Sequence, residues 1–544
     1  METEKTLVLD VNENPKRLRD WILFAIQHIL AMLVACITVP IITGLPIAPT
    51  LIAAGIGTIC YIFITKQKSP VFLSSSFAYL QPMLSALAVG EISAAGGHNY
   101  LALIIGMFLV GFIYCVVGLF IKLVGTRWLN KILPPIIVGP IIMVIGLGLS
   151  SSAVSNLTSA TGSGQPYNLV ALLCGLVALI VTALTSHYGK KMMRLIPFVI
   201  GMLSGYLTAV VFTVFGYHLG GIEYLHIVNF EPLISIFRAE NFGVASFFNY
   251  KLFIPNNEES FMFLQFDAIK EFNWKDIGTV ILLFVPASLV TICEHVGDHE
   301  NLGKIINKDL LNGEPGMTRT LIGDGVATAL SGALCGAANT TYGENVAVIG
   351  MTKIASVKVV LLAAIMTIVI GFITPFTALL STIPGCVTGG VSLILYGFIA
   401  SSGVKLLIKE KIDFSKTKNI FVCSVILVVG IGGLTLSLFG GKILITSIAV
   451  AMILGIILNL ILIEEKPNEL SENQEPICEC ETCSCEQKIE ETVEEKEVET
   501  PVEEKVEEKE EEKVEVKEVK KTSTTKKSSS TKKPSTGTRK KKTE

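Results

Sequence analysis

Long apolar stretches recur along almost the whole chain and restrict what it can fold into. Hydrophobic residues make up 51% of its 544 residues and charged residues only 17%, against about 25% charged in ordinary soluble domains. A water-soluble fold would have to expose large apolar patches. A bilayer accepts those faces, so the sequence predicts an all-α integral membrane protein. Examples of the apolar stretches are Trp21 to Pro40, Tyr100 to Ile121 and Leu195 to Tyr217.

The apolar pattern predicts fourteen transmembrane segments, each near the length of about 20 residues that crosses a bilayer as a helix. Lys and Arg concentrate in every second connection, whereas residues 150–168 contain none. Positive residues favour the cytoplasmic side, so we expect a protein of the plasma membrane with both termini in the cytoplasm. The expected segments are 21–44, 47–65, 70–90, 100–122, 132–150, 168–186, 195–217, 277–297, 320–336, 339–354, 357–380, 386–403, 418–438 and 442–463.

A long polar connection divides these segments into seven and seven. Because seven is odd, the second half enters the membrane from the opposite side, which is the inverted-repeat plan of secondary transporters. The predicted domains are a cytoplasmic N-terminal segment, a first seven-segment repeat, an extracytoplasmic loop, a second seven-segment repeat and a cytoplasmic tail. Their residues are 1–20, 21–217, 218–276, 277–463 and 464–544.

The third segment of each half contains polar residues where a continuous apolar helix is expected. Residues 74–79 read Ser-Ser-Ser-Phe-Ala-Tyr, and residues 339–344 read Asn-Thr-Thr-Tyr-Gly-Glu. We expect a short strand before a half-helix in segments 3 and 10, since irregular backbone inside a membrane lines a cavity or is buried in protein. The alternative is that Ser and Thr bond back to their own helix.

Three carboxyl groups are the main candidates for function, because ionisable groups within spans are costly and usually functional. Glu294 and Asp298 are four residues apart near the end of segment 8 and share a helical face. Glu344 lies in segment 10. A carboxyl in a medium of low dielectric resists ionisation. It can therefore take up a proton on one side of the membrane and release it on the other.

Other polar residues in the segments have simpler interpretations. We expect His28 to bond to Gln27 or to a backbone carbonyl, and Asp324 to cap or pin a neighbouring helix. His299 and Glu300 are expected at the cytoplasmic surface. These residues remain secondary candidates.

Several motifs together resemble the nucleobase–ascorbate transporter family, and in particular its uracil-transporting bacterial branch. The resemblance extends from about Leu18 to Ile463. Its motifs are Gln27-His28-Ile29-Leu30-Ala31-Met32, Ser76-Phe77-Ala78, Glu294-His295-Val296-Gly297-Asp298, Gly323-Asp324-Gly325, Asn339-Thr340-Thr341-Tyr342-Gly343-Glu344-Asn345, Gly389-Gly390-Val391-Ser392 and Ala400-Ser401-Ser402-Gly403.

The resemblance implies a core domain of segments 1–4 and 8–11, a gate domain of segments 5–7 and 12–14, and proton-coupled uptake of uracil. Glu294 would accept the ring N–H groups, and Glu344 would contact the opposite edge of the base. Glu344 would also be the first choice for proton coupling, with Glu294 second. Backbone groups at Phe77 and Gly343 would complete the pairing, with Tyr342 beside the ring. A homodimer is a further implication.

Asp298 departs from some members of that branch, which have a histidine at this position. An aspartate reaches a uracil carbonyl only when protonated or through water. A purine such as xanthine or urate as the substrate, or sodium as the coupling ion, therefore stays open as an alternative. We expect no cofactor, catalytic residue, metal site or nucleic-acid partner, since no nucleophile–base pair, metal-ligand set or nucleotide loop is evident in the segments.

The chain changes composition after Ile463. Residues 490–518 are rich in Glu, Lys and Val, and residues 520–542 in Lys, Ser and Thr. Such composition cannot bury a core and predicts a disordered tail. Four cysteines between Cys478 and Cys485 could bind a soft metal, but their spacing matches no common zinc finger.

Overall fold

The computed structural model describes residues 7–89, 99–125, 127–159, 167–190, 193–194, 196–238, 243, 246–255, 260–261, 273–438 and 443–462. The predicted tail and its cysteine cluster lie outside these residues, as does part of the predicted 218–276 loop.

The described part of the chain is mainly helical. Up to residue 218 its elements are α1 (Leu18–Thr43), α2 (Ile47–Ile64), β1 (Leu73–Ser75), α3 (Leu80–Leu87), α4 (Tyr100–Val124), α5 (Arg127–Ile132), α6 (Pro135–Gly148), α7 (Ser150–Thr158), α8 (Leu169–Tyr188) and α9 (Pro197–His218). The connection that follows contains α10 (Glu231–Phe237) and the 3₁₀ turns Glu223–Leu225, Tyr250–Phe253 and Trp274–Asp276. The later elements are α11 (Ile277–Ile306), α12 (Met317–Ala333), β2 (Asn339–Thr341), α13 (Gly343–Thr352), α14 (Val357–Phe372), α15 (Thr374–Ser381), α16 (Gly385–Lys409), α17 (Thr417–Ile431), β3 (Leu436–Leu438), β4 (Ile443–Ile445) and α18 (Ser447–Ile461).

Eight helical stretches among the described residues are long and apolar enough to cross a membrane. Three shorter apolar helices, α14, α17 and α18, accompany them. The chain is therefore a multi-pass membrane protein. The eight stretches are Leu18–Thr43, Ile47–Ile64, Tyr100–Val124, Pro135–Thr158, Leu169–Tyr188, Pro197–His218, Trp274–Ile306 and Gly385–Lys409.

Two short strands cross in the interior, within the two stretches that the sequence predicts to be extended. β1 and β2 pair antiparallel, with Ser74 opposite Thr340, and all residues of both strands are buried. Side chains from the flanking helices satisfy backbone groups that the two-stranded ladder leaves open. Thr58 Oγ1 accepts from Leu73 N at 3.0 Å, and Thr328 Oγ1 donates to Asn339 O at 2.5 Å. These bonds explain how irregular backbone is tolerated at this depth.

Helices α4 and α12 approach each other closely at two glycines. A β-carbon on Gly325 would lie 2.9 Å from Gly111 O and 2.6 Å from Tyr114 Cβ. A β-carbon on Gly111 would lie 2.7 Å from Gly325 O. Small residues of this kind let helix backbones pack directly in a membrane, where lipid supplies no hydrophobic driving force between helices.

We therefore expect Gly325→Ala to destabilise the protein by about 1–3 kcal/mol through overpacking. The measurement is the thermal unfolding midpoint of purified protein in detergent. Gly397→Ala is the matched control, because nothing lies within 4 Å of a β-carbon at Gly397. An unchanged midpoint for Gly325→Ala would show that the two helices separate without cost.

Three predicted segment boundaries differ from the helix ends in the structure. The sequence predicts that the eighth segment ends at residue 297, but α11 continues to Ile306 and stops at Asn307, which is left-handed (φ 54°). Residues 294–300 therefore lie inside a helix. His295 and His299 are fully buried there and face protein rather than water. The segments expected at 418–438 and 442–463 are shorter helices joined through a β3–β4 hairpin. The Gly432-Gly433 pair explains the break, since Gly433 has φ 74°.

The N-terminal segment packs against the rest of the protein as an extended strap. Leu9 pairs with Ile354 in a parallel bridge, and Ala355 N donates to Leu9 O at 2.9 Å. Asp10 pairs with Lys308 at 3.0 Å, and Val11 is buried. The strap therefore joins the residues that follow α13 to the connection after α11.

Candidate substrate site

Helix α11 and the start of α13 bring four of the predicted site residues together. Glu294 is exposed and Asp298 half-buried on α11, and Glu344 is half-buried in the first turn of α13. A β-carbon on Gly343 would lie 3.4 Å from Asp298 Oδ1, so this carboxyl lies directly against the Gly343 backbone. The charges of Asp298 and Glu344 act on Glu294. The result is a compact group of hydrogen-bond acceptors.

Hydrogen-bond donors lie beside these acceptors. The first N–H groups of a helix have no intrahelical partner, and no side chain caps α13 at Tyr342. Gly343 is exposed, so its backbone is accessible. The positive end of the helix also stabilises a negative charge on Glu344. Acceptors and donors lying side by side in this way can bind a small polar solute.

Phe77 and Tyr342 lie at the two ends of the strand crossing. Each residue follows its own strand, and because the strands are antiparallel the two ends point in opposite directions. Tyr342 is buried. Phe77 packs edge-on against Tyr396, with ring centroids 6.0 Å apart, and lines a cavity of about 370 Å³ with Gln81 and Ser85. The lining of that cavity does not include the three carboxyls.

A buried histidine–aspartate pair lies behind the site. Asp324 Oδ2 and His295 Nδ1 form a hydrogen bond of 2.8 Å, and both side chains are fully buried. This bond joins α12 to α11, as the pinning interpretation of Asp324 predicts. An ionised Asp324 would repel negative charge on Glu294 and Asp298.

The expectation for His299 is wrong, while Glu300 does lie at the surface. His299 is fully buried and stacks on His295, with ring centroids 4.0 Å apart. Its Nδ1 lies 2.9 Å from His295 O, which only accepts, so Nδ1 carries the proton. In the neutral ring, Nε2 then accepts from Tyr61 OH at 2.6 Å. His299 therefore holds α11 against α2 instead of facing the cytoplasm.

The hydrogen-bond partner of His28 Nδ1 is Asn345 Oδ1, at 2.8 Å, and not Gln27 or a backbone carbonyl as expected. This bond joins α1 to α13 one residue beyond Glu344. Asn345 belongs to the 339–345 motif, but nothing in the sequence spacing connects it with a residue 317 positions away. Sequence reasoning therefore missed Asn345 as a positioning residue for the start of α13.

Long apolar helices and a polar site beside two crossing strands define a membrane transport protein. The profile described as "Permease family" matches residues 19–439. The chain is 37% identical to the uracil permease of Bacillus caldolyticus, over 84% of this chain and 94% of that one. It is 36% identical to the uracil permease of Bacillus subtilis strain 168, over 87% and 99% of the two chains. The uracil permease of Escherichia coli K12 is 34% identical, over 83% and 93%. The chain belongs to this permease family.

Solved structures of transporters have a similar fold. The transmembrane domain of a cyanobacterium bicarbonate transporter, BicA, aligns with a TM-score of 0.52 at 14% identity, over 82% of this chain and 99% of that one. Murine Slc26a9, an anion transporter in the inward-facing state, aligns with a TM-score of 0.55 at 12% identity, over 82% and 69%. At such identities the likeness concerns the fold alone.

Proposed function

We propose that this protein takes up uracil across the plasma membrane together with protons, without chemical change to the base. The observation that carries the proposal is the grouping of Glu294, Asp298 and Glu344 beside the uncapped start of α13. Relatives that match most of the chain and are named uracil permeases support the choice of base.

The proposed roles follow from the hydrogen-bonding pattern of uracil, whose edge alternates N–H and C=O. Glu294 accepts from the ring N–H groups, and the backbone N–H of Gly343 donates to a carbonyl. Glu344 contacts the opposite edge and carries the coupled proton, with Glu294 second in that role. Backbone groups at Phe77 and the ring of Tyr342 complete the slot.

The proposed architecture is fourteen segments in two inverted repeats, with a core and a gate domain and with the domain bounds that the sequence predicts. The eight long helices, the three shorter apolar helices, α12 and the two strand–helix segments support that number. Both termini are proposed to be cytoplasmic, and the protein to form a homodimer.

The experiment that tests the function is uptake of radiolabelled uracil into proteoliposomes under an imposed inward proton gradient. We expect accumulation that collapses when a protonophore is added. Absence of uptake by correctly folded protein would contradict the choice of base. Xanthine and urate, with and without a sodium gradient, are tested in the same vesicles, because Asp298 against Gly343 places an unusual carboxyl at the site.

We expect Glu294→Gln to weaken apparent uracil affinity roughly 30- to 150-fold, because a hydrogen bond to a charged group contributes about 2–3 kcal/mol. The measurement is the concentration dependence of uptake. Glu410→Gln is the control, since Glu410 is an exposed carboxyl at the end of α16. Equal affinities in the two variants would remove Glu294 from the site.

A further inference from the structure

A basic cavity that is lined by none of the predicted site residues has no role in the proposed transport function. Its volume is about 420 Å³. It lies where α6 begins, α16 connects to α17 and α18 ends. Lysines outnumber acidic residues in its lining by four to one. The lining polar residues are Lys131, Lys411, Lys416, Lys418, Asp413, Asn419 and Asn459.

The single acid offsets only part of this charge. Asp413 Oδ1 accepts from Ser415 N at 2.8 Å within its own turn. Among the residues that the structure describes, no carboxyl forms an ion pair with Lys131, Lys411 or Lys418. Three ammonium groups therefore line one cavity without an ion-pair partner among the described residues, and an anion entering it would relieve their repulsion.

Amide groups and a helix start add donors to the ammonium groups. Asn419 and Asn459 both line the cavity, and Asn419 Nδ2 donates to Asp413 O at 2.8 Å, which fixes the amide in place. The 15-residue helix α17 begins at Thr417, and no side chain caps it at Lys416. Its positive end therefore adds to the same field.

The surroundings of the cavity are apolar and exposed. Large exposed apolar side chains flank it in the α16–α17 connection, on α17 and at the end of α18: Phe414 (43% exposed), Ile420 (46%), Phe421 (55%), Leu460 (67%) and Ile461 (67%). Inorganic phosphate would make no favourable contact with these apolar side chains. A ligand with a charged head and hydrocarbon tails would contact both parts.

We propose that this cavity binds the phosphate group of an anionic phospholipid, with the acyl chains lying along Phe421 and Ile461. Basic pockets between membrane helices recognise anionic headgroups in this way. The lipid would hold the beginning of α17 to the ends of α16 and α18.

The test compares thermal unfolding midpoints of the full-length protein in detergent with added phosphatidylglycerol or with added phosphatidylcholine. Both lipids carry a phosphate and similar tails, but only the first has a net negative charge. We expect phosphatidylglycerol to raise the midpoint by about 2–4 °C more than phosphatidylcholine does. Lys411→Gln combined with Lys418→Gln should lose most of that difference, and Lys411→Arg combined with Lys418→Arg should keep it.

The matched control is Lys358→Gln combined with Lys405→Gln. It removes the same charge at exposed positions outside the cavity, so it should respond as the parent protein does. An equal response of the two Gln variants would overturn the proposal. So would equal midpoints in the two lipids for the parent protein. A third arm adds inorganic phosphate alone; a shift of the same size, lost in the Lys411/Lys418 variant, would overturn the lipid in favour of a soluble phosphate.

Discussion

Glu344→Gln should abolish proton-driven accumulation of uracil while leaving exchange of uracil across the membrane. Glutamine has nearly the shape of glutamic acid and still donates and accepts hydrogen bonds, but it cannot bind and release a proton. A carrier with this substitution should therefore still load the base and change sides. It should equilibrate uracil instead of concentrating it.

Two assays on the same proteoliposomes separate these steps. The first imposes an inward proton gradient and measures the ratio of internal to external uracil. In the variant this ratio should fall to about 1, because the imposed gradient can no longer drive accumulation. The second preloads unlabelled uracil and measures counterflow of the labelled base without a gradient, which should persist. Glu410→Gln, at an exposed position, should keep both activities.

Other outcomes would change the assignment of roles. Accumulation that survives Glu344→Gln but is lost in Glu294→Gln would move the coupling role to Glu294. Loss of both accumulation and counterflow in correctly folded Glu344→Gln would make Glu344 a binding group without a separate coupling role.

The local chemistry of the site is largely readable from the sequence. Ionisable residues inside apolar segments are rare, so Glu294, Asp298 and Glu344 stand out, and their motifs also carry the family resemblance. Polar residues at matching places in the two halves similarly predict the crossing strands. The structure brings Asp298 against Gly343 because α11 passes alongside β2 and α13.

Long-range partners are not readable in this way. Tyr61 and His299 are 238 positions apart, and His28 and Asn345 are 317 apart. No periodicity links such residues, because helix packing decides which faces meet. The same limit explains why the sequence predicts His299 at the surface: the polarity of residues 294–300 resembles a membrane boundary, whereas α11 continues to Ile306 with His295 and His299 facing inward.

Breaking the His295–Asp324 pair from one side should strongly destabilise the protein. Both side chains are fully buried and joined at 2.8 Å. Asp324→Leu leaves His295 Nδ1 buried without its partner. Leaving a buried polar group without its partner typically costs about 1–3 kcal/mol.

The sharper expectation concerns the double substitution. His295 Nε2 and Asp324 Oδ1 already have no hydrogen-bond partner among the described residues, so the pair is only partly satisfied. Replacing both members by apolar residues of similar volume is often neutral or stabilising. His295→Leu combined with Asp324→Leu should therefore recover more than half of the stability that Asp324→Leu loses. Asp324→Asn should lose little, because its amide group can still form a hydrogen bond with His295.

A double-mutant cycle on unfolding midpoints in detergent measures this coupling directly. If the losses of the two single substitutions simply add in the double variant, the pair does not act as a unit and the bond between α11 and α12 is not what stabilises this region. A double variant that is stable but fails to take up uracil would show that the pair serves transport rather than stability, through the electrostatic effect of Asp324 on Glu294.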